Sequence, residues 1–596
     1  MRLILFFKKM VSGKEGRVAR FAGLMALLAG LSLVYGRNLL KYSYHFGLYD
    51  WNFFLYQHQY WHISLFSFKQ LPLWNPYACG GMSFIGRPDV SVLPFPIIFV
   101  TAFGALAGLR IMAVFYIFLG MTGMFYVCRY LKIGILPSLI AGVIFSMNGA
   151  LALRIMAGHL GWLSVAYLPF IVLFYLKGLK KFRYLFLCSL FLAFVAAEGS
   201  YILMFTAVFL FVFSALYALQ QKSLRPLLAL GLTLALCVLL SGPKLFPMIE
   251  MMSQFPRGTD VGKAIPLKNL YNIFWERNQL GNLAFAFMRP LNWWEFGSYI
   301  GIVPVVIFVL SFKLVRRQWP LLLTAVCVFV IGLGNFSALA PWTLLHRAPV
   351  FCNMHISSRV WVIFLFLVAL LCGLCLDSFT FKSRRGTYLK NVLLVIVLCF
   401  IAWDLTAVSS PVFKNLFQEG SFRQKLVLKD QAFRQIRVPA QYAEVYDGLF
   451  LMFAPLLENA GAINSYEAIP VKRNAMAYGE LGYRGEFYLL NHSGKVSQPY
   501  WSPNRLVFHY DIWRPDVLVV NQNYDKGWKT FPPRVVKSHK GLISVEIDPA
   551  DKGIVLYYLP WSFVAGLLTC AAAMAAWAVM IRKKVEWKGP MGSGLW

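Results

Sequence analysis

Acidic side chains are scarce in this chain. It carries 25 Asp and Glu against 57 Lys and Arg, a formal net charge of +32, and 9 His. Such an excess of one sign first suggests a nucleic-acid binder. The distribution argues against one. The bases form no single stripe; they cluster in short runs between long apolar segments, as the cytoplasmic loops of membrane proteins do. A glycine-rich phosphate loop and a dinucleotide fingerprint are also missing, which speaks against a nucleotide-linked donor bound inside. The 10 Cys offer no ligand spacing beyond Cys372 and Cys375, which share one apolar segment and read as small packing residues. Cys79 and Cys352 both fall outside the membrane in the topology below, and their pairing is left open. No cleavable signal peptide is evident. Residues 1–20 are basic (Arg2, Lys8, Lys9, Lys14, Arg17, Arg20) and lead straight into the first apolar segment, which reads as a retained signal anchor.

What the chain has in abundance is apolar surface. Hydrophobic residues make up 59% and aromatics 17%, against about 45–50% apolar in an ordinary soluble domain. One core cannot bury this excess, because single cores stop growing near roughly 250–300 residues. The apolar runs are continuous, so they read as membrane helices. They fall at about 20–37, 92–108, 111–128, 134–150, 160–176, 183–198, 199–219, 226–246, 297–312, 319–335, 358–377, 390–407 and 557–581. The runs around Lys177–Arg183, Lys222/Arg225, Lys313–Arg317, Lys382–Lys390 and Arg582–Lys584 belong inside. Parity then demotes 92–108, with Pro94, Pro96, Gly104 and Gly108, to a re-entrant or interfacial piece. This gives 12 crossings, or 13 if 92–108 also spans, with both termini cytoplasmic. The expected fold is therefore a polytopic α-helical membrane module over 1–407, with large outer loops at 38–91 and 247–296. An extracytoplasmic α/β or mostly β domain follows at 408–556, then a final membrane helix at 557–581 and a cytoplasmic tail at 582–596. In that domain Ser421–Arg437 reads as helical. Val517–Val520, Arg534–Val536, Leu542–Ile547 and Ile554–Tyr558 read as strands.

The 38–91 loop is where chemistry is expected. It is dense in aromatics and has two acids, Asp50 and Asp89. A carboxylate at a membrane interface beside aromatic faces suits a general base acting on a hydroxyl. An interfacial aromatic belt with ordinary caps would use the same residues.

The string Leu71-Pro-Leu-Trp-Asn-Pro-Tyr-Ala-Cys-Gly-Gly-Met82 resembles the signature of the bacterial YfhO-like membrane proteins, members of the GT-C glycosyltransferase superfamily. Asp50 upstream, Ser146-Met-Asn-Gly149 with His159, Tyr299–Pro304, His355–Arg359, Asn459–Glu467, Asn523–Trp528 and Tyr557–Pro560 follow in family order. Tyr49-Asp50 departs from the family's Gly-Asp. The resemblance implies transfer of a sugar from a polyprenyl-phosphate carrier to a glycan, lipid or protein acceptor on the outer face of the bacterial inner membrane. Asp50 would be the catalytic base. Arg359 and His355, with Arg347, would lie near the carrier phosphate, and Arg154 and His159 next to them. Trp74, Asn75, Arg87, Asp89 and Glu198 complete the candidate substrate- and donor-binding residues. No cofactor is required by the sequence, and no residue pattern asks for a divalent metal, although the chemistry would accommodate one. Nucleic acid is not an expected partner; membrane lipid is. Competing uses remain. Arg347 and Arg359 could snorkel, His159 could be a satisfied helix-end residue, and Glu198 could be solvated at a hairpin tip. The 247–296 loop could be a donor lid or plain surface. At the level of function, a transporter or lipid-linked-glycan flippase and a non-catalytic envelope assembly factor stand as alternatives.

Overall fold

The computed structural model describes residues 14–41, 45–47, 49–90, 96–198, 200–256, 258–281, 292–414, 416–421, 432–438, 452–467, 469–583 and 586–587. Among the described residues each of the 13 apolar segments overlaps a helix. The main helices are α1 (Lys14–Tyr35), α2 (Trp51–Phe66), α3 (Pro96–Tyr130), α4 (Ile135–Ser146), α5 (Gly149–Met156), α6 (Leu168–Lys180) and α7 (Tyr184–Glu198). They continue with α8 (Ser200–Gln221), α9 (Arg225–Leu240), α10 (Gly242–Gln254), α11 (Ile302–Leu310), α12 (Val315–Gly332), α13 (Trp361–Ser378), α14 (Arg384–Lys414) and α15 (Trp561–Arg582).

Among the described residues, eight helical spans are long and apolar enough to cross a membrane. The count becomes nine if α9 and α10, bent by 80° across Ser241, form one span. The sequence count was higher because an apolar window does not reveal how far its helix runs unbroken. The 15 residues of α7 reach about 22 Å, short of a hydrocarbon core of about 30 Å. The 92–108 segment is resolved by geometry. Gly104 leaves the helix at φ 75°, ψ 164°, and a Cβ on Gly108 would lie 2.6 Å from the Phe99 carbonyl. The arm before Gly104 thus folds back on the long helix that follows. The eight described residues of that arm, 96–103, extend about 12 Å. α13 is the centre of the bundle and is buried on every face for most of its length.

The region before α15 is β-rich. Its strands are β1 (Phe487–Leu489), β2 (Gly494–Ser502), β3 (Arg505–Ile512), β4 (Asp516–Asn523), β5 (Trp528–Phe531), β6 (Val536–His539), β7 (Leu542–Ile547) and β8 (Gly553–Tyr558). They form two four-stranded antiparallel sheets, in the orders β6-β7-β4-β1 and β5-β8-β3-β2. The strands alternate as period-2 patterning requires. In β3, Leu506, Phe508, Tyr510 and Ile512 point inward and their neighbours outward. Phe487 of one sheet meets Phe508 of the other at 5.3 Å, so the two sheets face each other across a shared core. Three of the four expected strands are present; of the fourth, Arg534–Val536, only Val536 lies in a strand, β6, which runs on to His539. The helix expected at Ser421–Arg437 is not found where the chain is described. Phe417–Ser421 is a strand, and Arg434–Ile436 pairs parallel with Ala460–Ala462; residues 422–431 lie outside the described residues. Helix α14 runs to Lys414, seven residues past the expected end of its apolar segment.

The 38–91 region is a structured insertion. Most of α2 is buried. The short hairpin Trp74–Asn75/Met82–Ser83 that follows is clamped to the β region. Trp74 Nε1 donates to Gln522 Oε1 at 2.7 Å, and its amide donates to Asn504 Oδ1 at 2.9 Å. Asn523 Nδ2 donates to the carbonyls of Cys79 and Gly81, each at 2.8 Å. Gly80 and Gly81 have φ of 82° and 101°, and a Cβ on Gly81 would lie 2.7 Å from the Trp74 ring. The Gly-Gly pair is therefore required by both backbone angle and space. Cys79 is buried against Ser465, and both Cys79 and Cys352 are free thiols.

Candidate functional site

The site is assembled where the start of α2 meets the end of α5. Asn148 caps α5 by accepting from the Leu151 amide at 3.1 Å. Gly149 fits against Tyr299, whose carbonyl accepts its amide at 2.7 Å; a Cβ there would lie 2.7 Å from Tyr299 Cβ. At the other end of α5, Gly158 has φ 77°. A Cβ on it would lie 2.2 Å from the Trp51 nitrogen. The Asp50 amide donates to the Ala157 carbonyl at 3.1 Å, and Trp51 Nε1 donates to the Ile155 carbonyl at 2.6 Å. These contacts set Asp50 beside His159.

From Asp50 an unbroken polar chain runs inward. Asp50 Oδ2 lies 3.2 Å from His159 Nε2. His159 Nδ1 lies 2.9 Å from Arg154 Nη1. A guanidinium only donates, so Nδ1 accepts here and the ring proton sits on Nε2, aimed at Asp50. Arg154 Nη2 then pairs with Glu295 Oε2 at 2.7 Å. Arg359 grips the same carboxylate with two hydrogen bonds, Nε to Oε2 and Nη2 to Oε1, both 2.8 Å. Burial opposes ionisation of Glu295, but Arg154 and Arg359 outweigh it and hold the carboxyl well below the usual carboxylate range. Trp162 lies against both guanidiniums, 4.4 Å from that of Arg154 and 5.7 Å from that of Arg359. Tyr201 stacks on Trp162 and faces Arg359 at 4.9 Å. A small, partly enclosed crevice is lined by Arg154, Trp162, Trp294, Glu295, Ser358 and Arg359, with Ser298 at its wall. Trp294 in turn packs on Tyr49, the residue before Asp50, at 4.5 Å.

Of the chain's members only Asp50 is substantially open, with 40% of its side chain exposed, against 6–15% for the other four. Two guanidiniums face one buried carboxylate, which leaves a residual positive charge beside an accessible carboxylate. Such a pair of features can hold an anion and accept a proton side by side.

The structure thus brings together Asp50, Arg154, His159 and Arg359. Glu295, the hub, was visible in the sequence only as one of several charges in the 247–296 loop; its place after Trp293-Trp294 was the sole available signal. The remaining candidates lie elsewhere. Trp74 and Asn75 are fully buried between the insertion and the sheets. Asn75 exchanges hydrogen bonds with Tyr56, so both residues fasten the fold and do not face a ligand. Arg87 pairs with Asp89 at 2.9 Å and with buried Glu467 at 2.8 Å in a second ionic cluster, which Lys244 joins by bonding the carbonyls of Ile85 and Arg87. Glu198 is buried, not solvated, and accepts from the hydroxyls of Tyr116 and Tyr167. His355 does not line the crevice, and Arg347 is exposed. Asp404 accepts from Tyr299 at 2.7 Å and pairs with Arg277. Among the described residues no group of three or more His, Cys, Asp or Glu is placed to hold a metal ion.

No family model matches the sequence, and no curated protein matches it. Among solved structures the chain is similar to the arabinofuranosyltransferase AftD from Mycobacteria, with 15% identity and a TM-score of 0.46 over 70% of this chain and 29% of that one. It is similar to ArnT from Cupriavidus metallidurans bound to undecaprenyl phosphate, with 12% identity and a TM-score of 0.37 over 67% and 76%. It is also similar to the oligosaccharyltransferase of Archaeoglobus fulgidus, with 10% identity and a TM-score of 0.41 over 74% and 62%. The chain spans less than a third of the length of AftD. Likeness at this level assigns no substrate and no residue role. What stands on the chain's own coordinates is a polytopic helical membrane protein with a β-rich region before its last helix.

Proposed function

We propose that this protein is a membrane glycosyltransferase of the GT-C type, transferring a sugar from a polyprenyl-phosphate-linked donor to an envelope acceptor on the outer face. The observation that carries the reading is the continuity between the open carboxylate of Asp50 and the buried Arg154/Glu295/Arg359 cluster. The donor's leaving group is a phosphate that departs with negative charge, and residual guanidinium charge stabilises it. The acceptor must lose a hydroxyl proton as it attacks, and Asp50 is placed to take it. His159, whose Nε2–H points at Asp50, orients the carboxylate and leaves one oxygen open to the acceptor. Trp294, at the wall of the crevice, supplies an aromatic face for a sugar ring. In this reading the chain lies in the bacterial inner membrane with both termini in the cytoplasm, and residues 408–556 form the extracytoplasmic domain.

The test is a turnover assay in detergent with a polyprenyl-phosphate sugar and no membrane gradient. Wild-type protein should consume the donor, which an obligate transporter would not do. Asp50→Asn should lower kcat by about 10²–10⁴-fold while inserting and melting like the wild type. A folded Asp50→Asn variant with full turnover removes Asp50 from the mechanism. Wild-type protein inert toward every such donor removes the enzyme reading.

A further inference from the structure

The two guanidiniums assigned above to the carrier phosphate are not empty-handed. Glu295 fills the fork of Arg359 with two hydrogen bonds and takes a third from Arg154. A bidentate grip on a planar fork is also how arginine holds a phosphate. We infer that Glu295 is a built-in stand-in for the donor phosphate, holding Arg154 and Arg359 together while the site is vacant and giving up the fork of Arg359 when the donor enters. The inference rests on the donor-phosphate reading and goes beyond it by assigning Glu295 a regulatory, competing role.

Three observations support it. The two arginine side chains are 6% and 11% exposed. Leaving two such cations without a counter-charge is strongly unfavourable, so an occupant is needed between turnovers. Second, the backbone of Glu295 is held independently of its carboxylate. Ser358 Oγ donates to the Glu295 carbonyl at 2.7 Å, and the Trp293–Glu295 turn is anchored by Trp293 Nε1 on Gln279 at 2.9 Å. The side chain can therefore change rotamer without unravelling its support. Third, Glu295 itself lines the crevice together with Arg154 and Arg359, so an anion entering there meets the pair it must divide. The arrangement also bears on release. The spent carrier keeps a phosphate that the two arginines would retain, and the return of Glu295 competes with it.

The experiment measures binding of farnesyl phosphate, with farnesol as control, to the full-length protein in detergent. Glu295→Gln removes the competing charge and should bind the phosphate at least tenfold more tightly, with slower release and no change toward farnesol. Glu295→Asp, too short to span both guanidiniums, is the second variant in case the amide does not fold; it should bind several-fold more tightly. If wild-type protein binds and both variants bind equally or more weakly, Glu295 is structural and the exchange is overturned while the phosphate site stands. If no form binds farnesyl phosphate above farnesol, both the site and the exchange fall.

Discussion

At the scale of single residues, burial decides what a charge can do. Asp50 and Glu295 are joined through His159 and Arg154, yet one is open and the other sealed by two guanidiniums. Only the open one is reachable from outside the protein. A third carboxyl, Glu486, shows the opposite balance to Glu295. Burial pushes its pKa up from 4.5 to about 7, and the hydrogen bonds it accepts from the Gln435 amide at 2.7 Å and from Tyr483 at 2.9 Å offset this only in part. The folded chain therefore keeps a proton that the unfolded chain has lost between about pH 4.5 and 7, and stability from this group falls as pH rises through that window. The full shift corresponds to about 3 kcal/mol; Glu486 retains some solvent access, so about 2 kcal/mol is expected. Glu486→Gln should then melt at a higher temperature than wild type at pH 8 and close to it at pH 5. An equal difference at both pH values would show that proton linkage is not the cause.

Among the elements, the decisive contact is between the start of α2 and the end of α5. It is made backbone to backbone through Gly158, whose φ of 77° and missing Cβ let Trp51 approach. Gly158→Ala would set a methyl 2.2 Å from the Trp51 nitrogen and force the two elements apart. We expect a loss of about 1–3 kcal/mol together with a drop in turnover, because His159 follows Gly158 directly and would swing from Asp50. A variant with wild-type melting and turnover would show that this contact does not hold the site. The sequence marked Asp50 and His159 separately. It did not reveal that they touch, because a partner 109 positions away is set by how α2 and α5 pack and not by local periodicity. For the same reason Trp162 and Tyr201 passed as ordinary span residues. They became recognisable only when the fold stacked them beside Arg154 and Arg359.

For the whole molecule, the insertion at 38–91 is the hinge between membrane bundle and β sandwich. Its first half carries Asp50, and its second half inserts Trp74, Tyr77, Phe84 and Ile85 into the same core as β3, β4, β7 and β8. Trp74 lies 5.5 Å from Trp528 and 4.9 Å from Tyr558 and bonds Gln522. Trp74→Ala should cost about 3–5 kcal/mol and loosen the sandwich from the bundle. Limited proteolysis should then cut the β region faster than in wild type while the helical part resists. An unchanged digestion pattern would show that the two parts are joined elsewhere. In this structure Trp74, Gly80 and Gly81 dock the insertion onto the β region, and Asn75 braces it through Tyr56.

Sequence alone determined that the chain is a polytopic membrane protein, that a strand-rich region precedes the last helix, and that Asp50 is an acid to watch. These follow from apolar length, charge bias and strand alternation, which act locally and survive without tertiary information. Tertiary structure decided the rest. It buried Trp74 and Asn75 where the insertion meets the sheets, paired Arg87 with Asp89 and Glu467, buried Glu198 between two tyrosines, and made Glu295 the centre of the charge cluster. A buried charge tolerates its place only when a partner reaches it, and which partner reaches it depends on the packing of helices far apart in the chain.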